Sequence, residues 1–228
     1  MASSGPSRDR RTSVDEIFDY LYEEIRSLRL RPGDKISEAD IAARFGVSRQ
    51  PVRDCFSRLE SIDLLKIRPQ RATEVKRFSL REIEKSRFVR SAVEAEVLRR
   101  AARYCNDTHA ARLDASIEPQ KDARDRGDYQ AFGELDYQFH QLLCDIAKAG
   151  FAFEVISFEK AKVDRLCLLS LSHEQRMPQL VEDHLAIASA VKAGDGEAAV
   201  AAGMLHLSRL DDTIDGIVRS RSDYFEPG

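Results

Sequence analysis

The chain has no tryptophan, and its 7 prolines and 11 glycines in 228 residues are too few for a fibrous or low-complexity protein. No stretch approaches the roughly eighteen consecutive apolar residues of a membrane span. The opening MASSGPSRDRRTS is polar and lacks the apolar stretch of a secretory signal. These absences read as a cytoplasmic protein without a membrane partner. The four cysteines, Cys55, Cys105, Cys144 and Cys167, are far apart and form no C-x-x-C pair. That excludes a zinc ribbon and a thioredoxin motif and leaves them as small hydrophobes in a reducing compartment. Enzyme signatures are missing as well: there is no P-loop, G-x-G-x-x-G, G-x-S-x-G or H-E-x-x-H. What is present, 43% hydrophobic and 33% charged residues, suffices for one or two core-forming domains.

The net charge of −3 excludes a histone-like protein that binds nucleic acid through its whole surface, but the average hides an asymmetry. Residues 1–78 carry 16 Lys and Arg against 13 Asp and Glu, and within residues 44–77 the count is 9 against 4. The remainder carries 20 against 26. A basic segment joined to an acidic body divides the labour: one part can meet a polyanion while the other does something else.

Residues 1–12 are small, polar and basic, a mobile tail. Ser13 and Glu16 have the spacing of a capping box, and Ile17, Leu21, Ile25 and Leu28 follow at helical intervals until Arg31-Pro32-Gly33-Asp34 breaks the pattern. Ser37 caps a short second helix ending at Phe45, with Gly46 where a left-handed residue is favoured. Ser48 then caps a third helix, Arg49 to Ser61, which tolerates Pro51 in its first turn and leaves Arg49, Arg53 and Arg58 exposed. Two short helices around a tight turn make a helix-turn-helix. Leu64-Leu65-Lys66-Ile67 and Thr73-Glu74-Val75-Lys76, joined by Arg68-Pro69-Gln70-Arg71, form a hairpin, or wing. From residue 79 the pattern is helical throughout: six or so helices that pack as an antiparallel bundle, with Pro119 expected to kink or end the second. The fold class is therefore mainly α. A winged helix-turn-helix over 13–78 precedes an all-α bundle over 79–228.

Three groups of residues carry chemistry. In a helix-turn-helix the start of the second helix enters the major groove, where arginine pairs with guanine and glutamine with adenine. That selects Ser48, Arg49, Gln50 and Arg53, while Arg68 and Arg71 at the wing tip reach the adjacent backbone or minor groove. The second group is Asp136 and His140, four apart on one helix face, with His184 and His206 in apolar helical runs. One carboxylate and three imidazoles suit Zn²⁺, Ni²⁺, Mn²⁺ or Fe²⁺. Spacing alone leaves each histidine as readily a satisfied core or surface residue. His109 and His173 lack such a context. The third is Arg90 with Glu94, either a surface ion pair or, turned into a cavity, a fork for a carboxylate ligand.

The order of these features resembles a known family. ISEADIAARFGVSRQPVRDCFSRLE stands where GntR-family transcriptional regulators carry L-x-E-x-x-LA-x-x-x-GVSR-x-PVR-x-AL-x-x-L. Residues 79–228, with DYQFH, EDHLAI and MLHL in order, resemble the all-helical FCD effector domain of its FadR subfamily. The resemblance implies an internal divalent metal, zinc foremost, on Asp136, His140, His184 and His206. It places Arg90 on a carboxylate effector beside that metal, and DNA contacts at Ser48, Arg49, Gln50 and Arg53. The implied function is a ligand-responsive regulator, a repressor before an activator, that binds an inverted repeat of double-stranded DNA as a homodimer and answers to a small organic acid. Many relatives have glycine near Asp63 and near Ala72, and Cys55-Phe56 replaces a small-Leu pair. The first two changes put the wing's turns, and so the contacts of Arg68 and Arg71, in question. A metal-dependent bundle enzyme is the alternative from another class, although no second carboxylate is placed as a general base. Within the regulator reading, the metal can also be the signal itself or purely structural.

Overall fold

The computed structural model describes residues 12–69, 71–171 and 176–226. The expected tail, apart from Thr12, together with Gln70 of the wing, His173 and the Cys167 side chain, lies outside the described residues. Two compact units result, one of residues 1–78 with 223–228 and one of residues 79–222.

The first unit begins with α1 (Ser13–Arg26), whose cap is Thr12 rather than Ser13. The Thr12 hydroxyl accepts from the Asp15 backbone N–H and the Asp15 carboxylate reaches back to the Thr12 N–H, so the capping box sits one residue earlier than its Ser13–Glu16 equivalent. The short strand β1 (Lys35–Ile36) leads into α2 (Glu38–Phe45), capped by the Ser37 hydroxyl. Gly46, at φ 64°, ends α2 in the left-handed conformation that a side chain would strain, and the chain turns at once into α3 (Arg49–Ser61). Ser48 is the N-cap residue of α3 but makes no side-chain cap bond.

Strands β2 (Leu65–Lys66) and β3 (Thr73–Val75) pair antiparallel as the expected hairpin, and β1 adds to the other side of β3. A two-residue strand shows no alternation, which is why the sequence gives no sign of β1. Asp63 takes the left-handed conformation (φ 66°) that favours glycine, and its carboxylate pairs with Lys76. Ala72 does not need positive φ. Ile17, Leu21, Ile25, Val52, Phe56, Leu59 and Val75 bury against one another beneath these elements. Cys55 joins them, and burial pushes its thiol up to about 11, which suits an inert hydrophobe.

The second unit has six helices among the described residues: α4 (Leu80–Tyr104), α5 (Asp107–Asp125), α6 (Tyr129–Ile146), α7 (Gly150–Leu171), α8 (Arg176–Lys192) and α9 (Gly196–Ser220). Asn106, Asp128 and Asp195 cap α5, α6 and α9 through their side chains. Of the two outcomes expected at Pro119, a kink or an end, the helix does not end there. The helix runs through it, and the Gln120 side-chain amide donates to the Ser116 carbonyl one turn back, in the region where proline removes a backbone donor. Helix α4 packs against α6, α7, α8 and α9, so it forms the axis of the bundle. Leu113, Ile117, Phe132, Phe139, Ile146 and Val181 fill the core beside it. Among the described residues no helix is long and apolar enough to cross a membrane.

Candidate metal centre and nucleic-acid interface

Asp136 and His140 sit one turn apart on α6 and turn inward toward His184 of α8 and His206 of α9. All four are buried, and one potential ligand atom from each lies within 4.8 Å of every other. The Asp136 Oδ1 atom is 3.3 Å from His184 Nε2 and 4.0 Å from His140 Nε2.

Surrounding residues fix which imidazole nitrogens face the cluster. His140 Nδ1 lies 3.0 Å from Glu94 Oε2 and is its donor. His184 Nδ1 lies 2.6 Å from Gln120 Oε1, and because the Gln120 amide nitrogen is committed to Ser116, that oxygen must accept. Phe139 stacks on the His184 ring, with centroids 4.3 Å apart, and holds its plane. With both Nδ1 atoms engaged by these outer partners, the two rings turn Nε2 inward. His140 Nε2, His184 Nε2 and His206 Nδ1 are buried with no hydrogen-bond partner. His140 and His184 thus turn acceptor nitrogens without a donor toward Asp136, and His206 brings a third unpartnered nitrogen that lies 3.8 Å from Asp183 Oδ2, an arrangement that a divalent cation satisfies.

Charge state agrees with geometry. Burial lowers His184 from the ordinary imidazole range and pushes His206 well below it, so both are neutral. Burial alone would raise the Asp136 carboxyl, but the Lys160 ammonium, 3.2 Å from Oδ2, overrides it and holds the group well below the usual carboxylate range. Glu94 is brought down to about 2 against its burial, chiefly by Arg90, whose Nε donates to Oε1 at 2.9 Å. Arg90 is therefore buried and paired on the inner face, not a surface residue. It lines a cavity of about 530 Å³ together with Ser91, Phe132, Asp136, Lys160, Arg176 and His206.

Each of the six helices contributes to this centre. Sequence reasoning picked out Asp136, His140, His184, His206 and Arg90, and the fold brings them together. It missed Gln120 and Lys160, which come from α5 and α7 and have no fixed spacing to the histidines. It also gave Glu94 no role beyond an ion pair.

In the first unit Ser48, Arg49, Gln50 and Arg53 are exposed together at the start of α3, and Arg68 and Arg71 are exposed in the hairpin. Gln50 bonds Asp54 at 2.8 Å, Arg53 donates to Gln50 at 3.2 Å, and Glu38 lies 3.9 Å from Arg53. These side chains form a pre-oriented polar surface. Arg58 is different: it bonds Asp15 and lies over the Phe18 ring at 3.9 Å, which makes it a tie between α3 and α1.

Known proteins share both halves of this architecture. Residues 13–75 match the bacterial regulatory proteins of the gntR family, and residues 87–209 match the FCD domain. The HTH-type transcriptional repressor RspR of Escherichia coli K12 is 36% identical over 210 residues, 92% of each chain. The chain belongs to the GntR family. It is a DNA-binding transcriptional regulator with an FCD effector domain, not an enzyme. A probable D-xylose utilization operon transcriptional repressor of Paenarthrobacter nicotinovorans is 28% identical over 83% of both chains. The fold recurs in a crystal structure of a GntR regulator from Rhodococcus sp. RHA1, with a TM-score of 0.69, 21% identity, and coverage of 89% of this chain and 97% of that one.

Proposed function

We propose that this GntR-family regulator is a repressor that binds an inverted repeat as a homodimer and is controlled by a small carboxylate held beside a divalent metal, zinc foremost. The observation that carries the reading is the buried cluster of Asp136, His140, His184 and His206, with three unpartnered imidazole nitrogens, beside a cavity that also exposes Arg90 and Lys160. A bound divalent ion would supply Lewis acidity toward a carboxylate oxygen. Arg90, oriented by Glu94, would take the same acid through its guanidinium fork, and the apolar wall of Phe132 and Leu180 would exclude water around it. The repressor names of two relatives support repression.

Dimerisation has its own support. Phe151, Val155 and Phe158 of α7 recur at i, i+4 and i+7, on one helix face, and are 71%, 43% and 66% exposed. A second copy of the chain would cover them. A single winged helix reads few base pairs, and two-fold symmetry doubles the site. On the DNA, Arg49, Gln50 and Arg53 would read base edges while Ser48, Arg68 and Arg71 contact phosphate or the minor groove.

The test is selection of bound fragments from source genomic DNA at about 0.15 M salt, with metal and acids added in turn. One enriched inverted repeat, lost in Arg49→Ala and Arg53→Ala and released by acid only when metal is present, is the expected result. Release by metal alone would make the metal the signal, and a metal that alters melting but not release would be structural. No preference over random duplex would overturn the proposal.

A further inference from the structure

Two of the three imidazoles in the cluster have an outer acceptor that turns Nε2 inward: Glu94 Oε2 for His140, at 3.0 Å, and Gln120 Oε1 for His184, at 2.6 Å. A histidine that holds a metal through one ring nitrogen donates the N–H of the other to a carboxylate, a carbonyl or water, and that partner fixes the ring. His206 has the same need, and Asp183 stands in the matching place. Its Oδ2 atom lies 3.8 Å from His206 Nδ1, and both residues are buried. Closing that gap to a hydrogen bond of about 2.9 Å takes a shift of under about 1 Å.

Asp183 is already held for this role. Arg209 Nε donates to Oδ2 and Arg209 Nη2 to Oδ1, at 3.2 Å each, a two-point grip that fixes the plane of the carboxylate. A carboxylate oxygen carries two lone pairs, so Oδ2 can accept from Arg209 and from His206 together. The residues involved alternate between two helices. Asp183 follows directly before His184 on α8, and Arg209 lies three residues beyond His206 on α9, near enough along the helix to share its face. The grip therefore joins α8 and α9 where each delivers an imidazole to the cluster. The two nitrogens of an imidazole point in diverging directions, so with Nδ1 on Asp183 the atom left for a metal is Nε2, on a residue that also lines the cavity.

We infer that Asp183 is a positioning residue for His206: it accepts the Nδ1–H, leaves Nε2 to the metal, and depends on Arg209 for its own orientation. The inference rests on the metal reading above and goes further by naming the ligand atom of His206 and the pair of residues that presents it. All three histidines then hold the ion through Nε2, each steered from behind by an acceptor on a different helix: Glu94 on α4, Gln120 on α5 and Asp183 on α8.

Two measurements on the full-length protein test this. Imidazole nitrogen NMR of the zinc-loaded wild type, with His206 assigned by its loss in His206→Gln, should show the His206 proton on Nδ1 and the metal on Nε2. Competition with a chelator should then give zinc binding at least about tenfold weaker in Asp183→Ala, the scale for losing an outer partner of a ligating histidine. Asp183→Asn can still place an oxygen at the Oδ2 position, so its zinc affinity should stay within about threefold of wild type. In zinc-loaded Asp183→Ala the His206 ring proton should also exchange with solvent at least about tenfold faster, while those of His140 and His184 keep their rates, a selectivity that general loosening of the fold would not produce. A metal on His206 Nδ1 would overturn the inference while leaving the metal reading in place. Unchanged zinc affinity in Asp183→Ala, shown by its melting curve to be folded, would overturn it too. Failure of the wild type to bind zinc or any other divalent metal would remove the metal reading and this inference with it. Should Asp183→Ala fail to fold, the position of the His206 proton in the wild type decides.

Discussion

Gln120 shows how a residue with no chemistry of its own can set the geometry of a candidate metal site. It is fully buried, its amide nitrogen is held by the Ser116 carbonyl, and its oxygen therefore points at His184 Nδ1. That one orientation fixes the imidazole tautomer and aims Nε2 at the cluster. Gln120→Leu keeps the volume but leaves a buried N–H without an acceptor and frees the ring to turn. Loss of such an outer partner lowers metal affinity by roughly 10–100-fold, and competition against a chromophoric chelator would measure it. Gln120→Glu retains an acceptor and should hold affinity within about threefold of the original. Equal zinc affinity in all three proteins would show that packing by Phe139, not the hydrogen bond, orients His184.

At the level of whole helices, α4 and α9 approach closely enough at Gly203 that a Cβ there would overlap Leu98 Cδ1. Leu98 is 2% exposed and has no room to swing away. Alanine gains about 0.5–1 kcal/mol of helix propensity, but overpacking costs about 1–3 kcal/mol, so Gly203→Ala should be destabilising by about 1–2 kcal/mol. For a chain of this size the melting temperature would fall by roughly 2–8 °C, and a rise would contradict the packing argument. Elements were legible in the sequence wherever local rules decide them. The Ser37 cap, the Gly46 turn and the basic start of α3 each follow from a few adjacent residues. Local rules failed where tertiary contacts intervene. Strand β1 exists because β3 supplies its partner, and α5 passes through Pro119 while Gln120 bonds the carbonyl a turn back. The centre divides the same way: Asp136 and His140 share an i, i+4 face that spacing reveals, whereas Lys160 and Gln120 reach it from other helices and no spacing could point to them.

Across the whole molecule, the chain leaves the DNA-binding unit after Phe78 and returns to it at Asp223. The returning segment is held firmly. Phe78 N–H donates to the Tyr224 carbonyl at 2.9 Å, and Glu226 N–H donates to the Phe78 carbonyl at 2.8 Å. The Phe78 and Phe225 rings lie 5.6 Å apart, Arg77 donates to the Asp223 carbonyl, and Lys66 lies 3.6 Å from Glu226. Tyr224 and Phe225 are 6% and 7% exposed, so the other end of the sequence adds two buried aromatic side chains to the DNA-binding unit, one of them against Phe78. Removing residues 223–228 should therefore destabilise that unit, by about 3–5 kcal/mol on the scale of a buried aromatic deletion, and leave zinc affinity of the helical unit within about twofold. Hydrogen exchange read peptide by peptide would separate the two. Amides of α1, α2 and α3 should exchange at least about tenfold faster, while those of α6 and α8 keep their protection. Unchanged exchange in α1–α3 would mean that the returning segment only rests on the unit. Faster exchange would establish that residues 223–226, which follow α9 and its His206, help to hold α1–α3 in place. That would give the candidate metal cluster a covalent route to the first unit besides the junction at Phe78.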